Sequence, residues 1–381
     1  MRTITLLVVS IVVLGGLVAA PAVATQSAAT AGASPCETAP EYPLEVTDAT
    51  GEPISLDESP ETVVALQPSD AQTVFEIGAE DRLVGFPDSP ATAGLDREER
   101  ADIGDGYELD HEQIIELDPD VVLAANVTFG DDIETLRGAG LAVYQFETAN
   151  SLEDVRENVL VTGLVTDECD GATDSADWMD DRLAVVEETV AAADDRPLAY
   201  YEMGEGETAG ANSFQDALLT TAGFENLAAE AGIDEWGQLN VETILEADPD
   251  WIVHPDTADR PAVADAATST TAYQDEQFVP VDNDDVNQPA PRVVLPLETI
   301  VATVYPDAYD RAVEEVADGE RPDEIVPAST GNDHTNDADG DNAGGADDAD
   351  GVDADDAIPG LGAVTAIVAT LIACLLVRTR R

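Results

Sequence analysis

Not one of the 381 residues is lysine. Only fifteen side chains are basic, all of them arginine, against 81 aspartates and glutamates, and the formal charge at neutral pH is −66. Phosphate backbones are bound through basic footprints, so nucleic acid is excluded as a partner. Histidine is nearly as scarce: His111 falls on a predicted helix, His254 at the end of a predicted strand and His334 in a polar tail. A zinc or manganese site wants several imidazoles converging on one point, which this distribution does not offer. No resident metal or other cofactor is therefore expected. There is no nucleophile elbow, phosphate loop or histidine-based triad, and carboxylates are too abundant for any pair to stand out, so an enzyme is not expected either.

A chain this acidic repels itself severely at low ionic strength. In molar salt the Debye length falls to about 3 Å and the repulsion is screened. The composition thus fits a protein that works in concentrated salt, with an acidic surface for a basic partner as the lesser alternative.

The two ends locate the protein. Arg2, an apolar run from Ile4 to Val18 and the small-residue site Ala22-Val23-Ala24 read as a secretory signal cleaved before Thr25. Cys36 lies too far from that run, in the wrong context, to be a lipoprotein cysteine. Residues 358–377 form a 20-residue apolar segment followed by Arg378, Arg380 and Arg381, which fits a membrane span with its basic end inside. Before it, 331–357 holds ten aspartates and no arginine, a self-repelling spacer. Asp337, Asp339, Asp341 and Asp348 loosely follow calcium-loop spacing, but Asn342 stands where the loop needs glycine, and a solvated linker is the better reading. Cys374 falls in the span. Cys36 and Cys169 both fall outside the membrane, where disulfides persist; a bridge would tie the N-terminal segment to the middle of the chain, and two free thiols are the alternative.

The segment LDHEQIIELDPDVVLAAN at 109–126 recurs as LNVETILEADPDWIVHPD at 239–256, 130 residues on (239 − 109). Each copy reads as a short amphipathic helix, an Asp-Pro-Asp stop and an apolar strand. Further strands are expected at 62–67, 82–86, 141–146, 197–203 and 278–282, with helices at 70–78, 131–138, 215–222 and 292–304. Alternation of this kind predicts an α/β fold of two similar Rossmann-like lobes with parallel sheets. The region 151–193 is helical by pattern, broken near DECDGATD, and makes a long, stiff helical connection. The chain thus divides into a signal peptide (1–24), an N-terminal extension (25–61), a first lobe (62–150), a helical linker (151–195), a second lobe (196–316), an Asp-rich disordered spacer (317–357), a transmembrane anchor (358–377) and a cytoplasmic Arg tail (378–381). Two like lobes create a cleft, and clefts between domains hold small ligands.

ETVVALQPSDAQTVFEIGAEDRLVGF, LDHEQIIELDPDVVLAAN, GANSFQDALLTTAGFENLAAEAG and NQPAPRVVLPLETIVATVYPDAY together resemble the helical-backbone class of ABC-importer substrate-binding proteins, those for cobalamin and ferric siderophores. The resemblance covers roughly 45–315 in the family's order. It implies capture of a metal chelate, a corrinoid first and a ferric siderophore next, and delivery to the permease and ATPase of one importer by a monomer tethered to the membrane. A surface receptor or envelope protein that kept the fold without transport is the alternative. The ends resemble haloarchaeal surface proteins with a Pro-Gly-Phe C-terminal sorting signal, although this chain has Pro359-Gly360-Leu361.

The same resemblance implies that Glu112 and Glu242, at matching positions in the two repeats, dock onto permease arginines; the alternative is two solvated helix residues. Ligand-facing groups are expected just past the strand C-termini. In the first lobe that selects Gln67, Ser69, Asp70, Phe86, Asn126 and Phe129, with Pro68 and Pro87 beside them. In the second it selects Glu202, Met203, Asn212, Phe214, His254 and Arg292. Ser69 competes with a helix-capping role. Phe86, Phe129 and Phe214 either stack on a flat macrocycle or fill the core. Arg292 pairs either an anionic ligand or a local carboxylate. Asn126 also heads the sequon Asn126-Val127-Thr128, where a glycan would obstruct the cleft.

Overall fold

A computed structural model of the chain describes residues 34–316. The expected signal peptide, acidic spacer, membrane span and Arg tail lie outside the described residues, as do His334 and Cys374. Among the described residues no helix is long and apolar enough to cross a membrane.

The first lobe opens with an antiparallel hairpin, β1 (Leu44–Thr47) and β2 (Pro53–Leu56). The sheet follows in order: β3 (Val63–Ala65), α1 (Pro68–Glu76), β4 (Leu83–Phe86), β5 (Ala101–Asp102), α2 (His111–Leu117), β6 (Val121–Ala124), α3 (Gly130–Gly138) and β7 (Val143–Gln145). Five parallel strands lie in the order β5-β4-β3-β6-β7. β3 and β6 are buried on both faces, which is why their sequences are continuous apolar runs rather than alternating ones.

Two helices, α4 (Leu152–Thr166) and α5 (Cys169–Ala191), lead to the second lobe. The break between them is sharp because Asp167 adopts left-handed geometry, φ 58°. The second lobe comprises β8 (Leu198–Tyr201), β9 (Glu207–Ala209), α6 (Phe214–Thr221), β10 (Glu225–Asn226), α7 (Leu227–Glu230), β11 (Trp236–Gln238), α8 (Val241–Ala247), β12 (Trp251–Pro255), α9 (Thr271–Gln274), β13 (Phe278–Val281) and α10 (Asn283–Asn287). Its main sheet, also parallel, runs β10-β8-β12-β13, while β9 and β11 form a small antiparallel ribbon. α11 (Val294–Val304) and α12 (Pro306–Val316) pack back onto α5.

The repeat explains how β6 and β12 are set against their neighbours. Asp110 and Asn240 cap α2 and α8 by accepting the Gln113 and Thr243 N–H groups at 3.0 and 2.9 Å. Ile114 and Ile244 are the buried residues of their helices. Asp118 and Asp248 then turn left-handed, φ 46° and 48°, and proline prevents the helix from continuing. The second aspartate of each stop reaches back to the preceding strand: Asp120 accepts the Glu61 and Thr62 N–H groups, and Asp250 accepts that of Leu198. Each Asp-Pro-Asp therefore ends a helix and sets the start of the next parallel strand against its neighbour.

Cys36 and Cys169 form a disulfide, Cα to Cα 5.1 Å. It fastens the segment before β1 to the first residue of α5, at the elbow between the linker helices. The hairpin within the expected extension and the ribbon β9/β11 went unforeseen, because four- and three-residue strands carry too few residues to show a period.

The elbow is closely packed. A methyl group on Gly171 would lie 1.9 Å from the Ile77 carbonyl oxygen, whereas one on Gly138 would meet nothing within 4 Å. Gly171→Ala is expected to lower unfolding stability by about 2–3 kcal/mol through overpacking. Gly138→Ala, at the end of α3, is expected to be neutral or to stabilise by up to about 1 kcal/mol. Denaturant titrations at fixed high salt compare the two; equal effects would contradict the close approach of α5 to α1.

Candidate ligand cleft

In each main sheet the strand order reverses direction at one place, between β3 and β6 in the first lobe and between β8 and β12 in the second. Ligands of open α/β sheets bind outside the strand C-termini at such points. The two lobes touch through α1, which follows β3, and the segment around α10, which follows β13. Gln72 of α1 meets Asp285 of α10, and Gln288 donates to the Ala91 carbonyl, at 3.5 and 3.4 Å. These contacts bring elements at the carboxyl ends of the two sheets next to one another.

At the first reversal Asp70 is buried. One of its carboxylate oxygens, Oδ2, accepts both the Gln67 N–H at 3.2 Å and the Ala125 N–H at 2.9 Å, joining the ends of β3 and β6. Burial pushes its carboxyl up to about 7. Gln67 donates its side-chain amide to the Gly106 carbonyl at 2.8 Å. Ser69 is buried inside the first turn of α1, whose N-cap is Gln67, so the capping role does not fall to Ser69. Phe86 is fully buried, edge-on to Phe75 with the Arg97 guanidinium 4.0 Å over its ring. Of its two readings, core filling is the one realised. Pro87 serves the same cluster, its carbonyl accepting from Arg97 at 2.6 Å. Asn126 and Phe129 are exposed at the mouth, Phe129 as the N-cap residue of α3.

At the second reversal Glu202 is buried. It accepts the Tyr200 hydroxyl and the Gly204 N–H, and burial raises its carboxyl above the usual range. His254 is buried too, edge-on to Phe278. Its Nδ1 faces the Pro255 carbonyl at 2.9 Å, its Nε2 has no partner, and burial lowers its pKa. Met203 and Phe214 are half-buried against the core. Asn212 is exposed with φ 64° and donates to Asp234 at 2.7 Å. It borders a recess of ≈ 340 Å³ lined by Asn150 of the first lobe and by Ser213, Asp216 and Thr220 of the second. Arg292 pairs a local carboxylate, Asp285, at 3.3 Å.

The structure adds Tyr107 and Trp236, 43% and 42% exposed, which the sequence reading missed. Tyr107 rides on the loop after β5. That loop is held by Gly104 (φ 114°), where a Cβ would lie 2.0 Å from the Glu108 carbonyl oxygen, and by Asp105 accepting the Tyr107 and Glu108 N–H groups at 2.8 Å. Trp236 opens β11, paired with Ala209 of β9. Both stand two or three residues before the repeated Leu109 and Leu239, so reading the repeat a few residues upstream would have found them. With Val127 and Phe129 they are the exposed large apolar residues at the strand-end loops of the two lobes. Glu112 and Glu242 are exposed in the first turns of α2 and α8. Among the described residues no group of histidine, cysteine and acidic side chains could hold a metal ion.

Because Asp70 binds its proton more tightly when folded, its contribution to stability is complete below about pH 4 and is lost as pH rises toward 7. Asp70→Asn keeps an oxygen for both N–H groups and removes that dependence. Relative to the parent, the variant should gain stability between pH 4.5 and 8, by up to about 1.4 kcal/mol per pH unit at the steepest point. Denaturant titrations across that range test this, and a constant difference would refute the assignment.

The sequence profile of the periplasmic binding protein family matches residues 63–279. The chain is 35% identical over 311 residues to the cobalamin-binding protein of Halobacterium salinarum, covering 78% of this chain and 82% of that one. It is 26% identical over 282 residues to YvrC of Bacillus subtilis, an uncharacterised ABC transporter substrate-binding lipoprotein, covering 70% and 87%. In structure it is similar to the molybdate periplasmic binding protein MolA of Haemophilus influenzae, with a TM-score of 0.61 at 17% identity over 72% of this chain and 97% of that one. The two parallel sheets agree with these matches: the chain belongs to the periplasmic binding protein family.

Proposed function

We propose that the protein is the extracytoplasmic substrate-binding component of an ABC importer and that its ligand is cobalamin or another corrinoid. The observation that carries the ligand is the 35% identity, over most of both chains, to a cobalamin-binding protein. Charge supports it. All ten arginines between 34 and 316 are engaged by their own chain, with carboxylates, backbone carbonyls or aromatic rings. An anionic ferric siderophore or a haem carrying propionates would have to recruit one of them away. A corrinoid, whose periphery is largely amides, asks instead for aromatic surface and neutral polar groups, which Tyr107, Phe129, Trp236, Asn126 and Asn212 offer.

In this reading the long helical connection permits modest lobe closure. Glu112 and Glu242, exposed on equivalent helices, present the loaded protein to the permease. The C-terminal segment 358–377 anchors it to the membrane as a monomer.

Thermal unfolding in multimolar salt, with cobalamin, a ferric hydroxamate and haem in turn, tests the ligand. Cobalamin at 1,000 times its Kd should stabilise by about 4 kcal/mol, and a shift with another chelate alone would overturn the assignment. Trp236→Ala is expected to weaken cobalamin binding about tenfold while leaving the unliganded transition in place; titration calorimetry reads it. Glu112→Arg with Glu242→Arg should abolish uptake without changing affinity, and unimpaired uptake would exclude the docking role.

A further inference from the structure

Aliphatic side chains exposed singly on a surface need no explanation, but two here are paired by the repeat. Of the seven large apolar side chains exposed among the described residues, Ile115 (40%) and Leu245 (37%) occupy the same position in the two copies, 130 residues apart (245 − 115). Their surroundings match as well. Glu112, Ile115 and Glu116 are exposed on α2, and Glu242, Leu245 and Glu246 on α8, while Ile114 and Ile244 are buried. Residues at i, i+3 and i+4 share one face of a helix, so each helix turns an aliphatic side chain outward beside two carboxylates. Neither Ile115 nor Leu245 joins the core clusters that take in Ile114 and Leu117 in one lobe and Val241 and Ile244 in the other.

Charge decides what can cover these two faces. Their carboxylates repel an anionic lipid surface and also a second copy of the same acidic face. They suit a protein that is basic around apolar hollows and offers that arrangement twice. These are the helices whose Glu112 and Glu242 are assigned above to the permease, and the inference rests on that reading. Charge alone would hold such a complex weakly. In the concentrated salt that the composition fits, exposed ion pairs are screened, whereas apolar burial keeps its strength.

We infer that Ile115 and Leu245 are paired apolar anchors for the permease, each seated in a hollow rimmed by the basic groups that the neighbouring glutamates meet. The aliphatic contacts hold the complex in salt, and the carboxylates set its register.

Cells in which the parent or a variant replaces the native copy, at equal surface level, are assayed in multimolar salt for uptake of cobalamin, a ferric hydroxamate and haem. For whichever chelate the parent takes up, Ile115→Ser with Leu245→Ser should lower uptake at least about tenfold. The same variant should keep the parent's Tm and its Kd for that chelate. Val316→Ser, which removes an exposed aliphatic group from the end of α12, should leave uptake unchanged. Parent-level uptake in the double serine variant would overturn the inference; if Glu112→Arg with Glu242→Arg abolished uptake all the same, docking would rest on charge alone. A dimer of the parent that the serine substitutions dissociate would overturn it too, by making a second copy the occupant. Failure of the parent to support uptake of any of the three chelates would instead overturn the importer reading, and the docking with it.

Discussion

Cations are the scarce resource of this molecule, and their placement organises it. With 81 acidic side chains in the sequence, an arginine left in solvent would find carboxylates everywhere and hold nothing in particular. Two of the arginines instead turn inward onto backbone. Arg97 gathers the carbonyls of Phe86, Pro87 and Ala101; Arg100 gathers those of Glu80, Leu83 and Asp96. Both lie over phenylalanine rings. Guanidinium groups suit this work because their fixed fork of donors satisfies several oxygens at once, which the compact ammonium of lysine does less well. The loop between β4 and β5, which has little regular structure, is held largely by these two side chains.

The same scarcity shapes the interior. Asp70, Glu202 and Asp285 are buried with few or no cationic partners, and their carboxyls are correspondingly raised. Asp70 and Glu202 both draw on backbone N–H groups at the point where strand order reverses. Each lobe thus uses a desolvated carboxyl to knit the backbone at its strand ends.

The longer strands and helices were legible because they carry a period or a stop that local chemistry enforces. The short helix expected in the first repeat forms as α2, His111–Leu117, since Asp110 caps it and Asp-Pro-Asp ends it. The cleft was less legible. The rule that ligands sit past strand ends selects positions but not orientations, and side chains there alternate between the mouth and the sheet faces. Phe86 turns inward onto Phe75 and Arg97, while Phe129, on the loop after β6, turns out. Nothing in a single phenylalanine distinguishes these cases, because the decision belongs to partners distant in sequence. Arg292 shows the same limit: its carboxylate, Asp285, was near in sequence, yet Asp285 is buried where it also meets Gln72 of the other lobe, 213 positions away.

The bridge between Cys36 and Cys169 spans 133 positions, and every strand of the first lobe lies between its two ends. The first lobe is therefore a covalent ring closed at the elbow of the linker helices. A protease that cuts one loop inside that ring opens it without releasing a fragment, and both pieces remain joined to the second lobe. Such a nick would be invisible on a gel run without reductant and would appear as two bands once the ring is reduced.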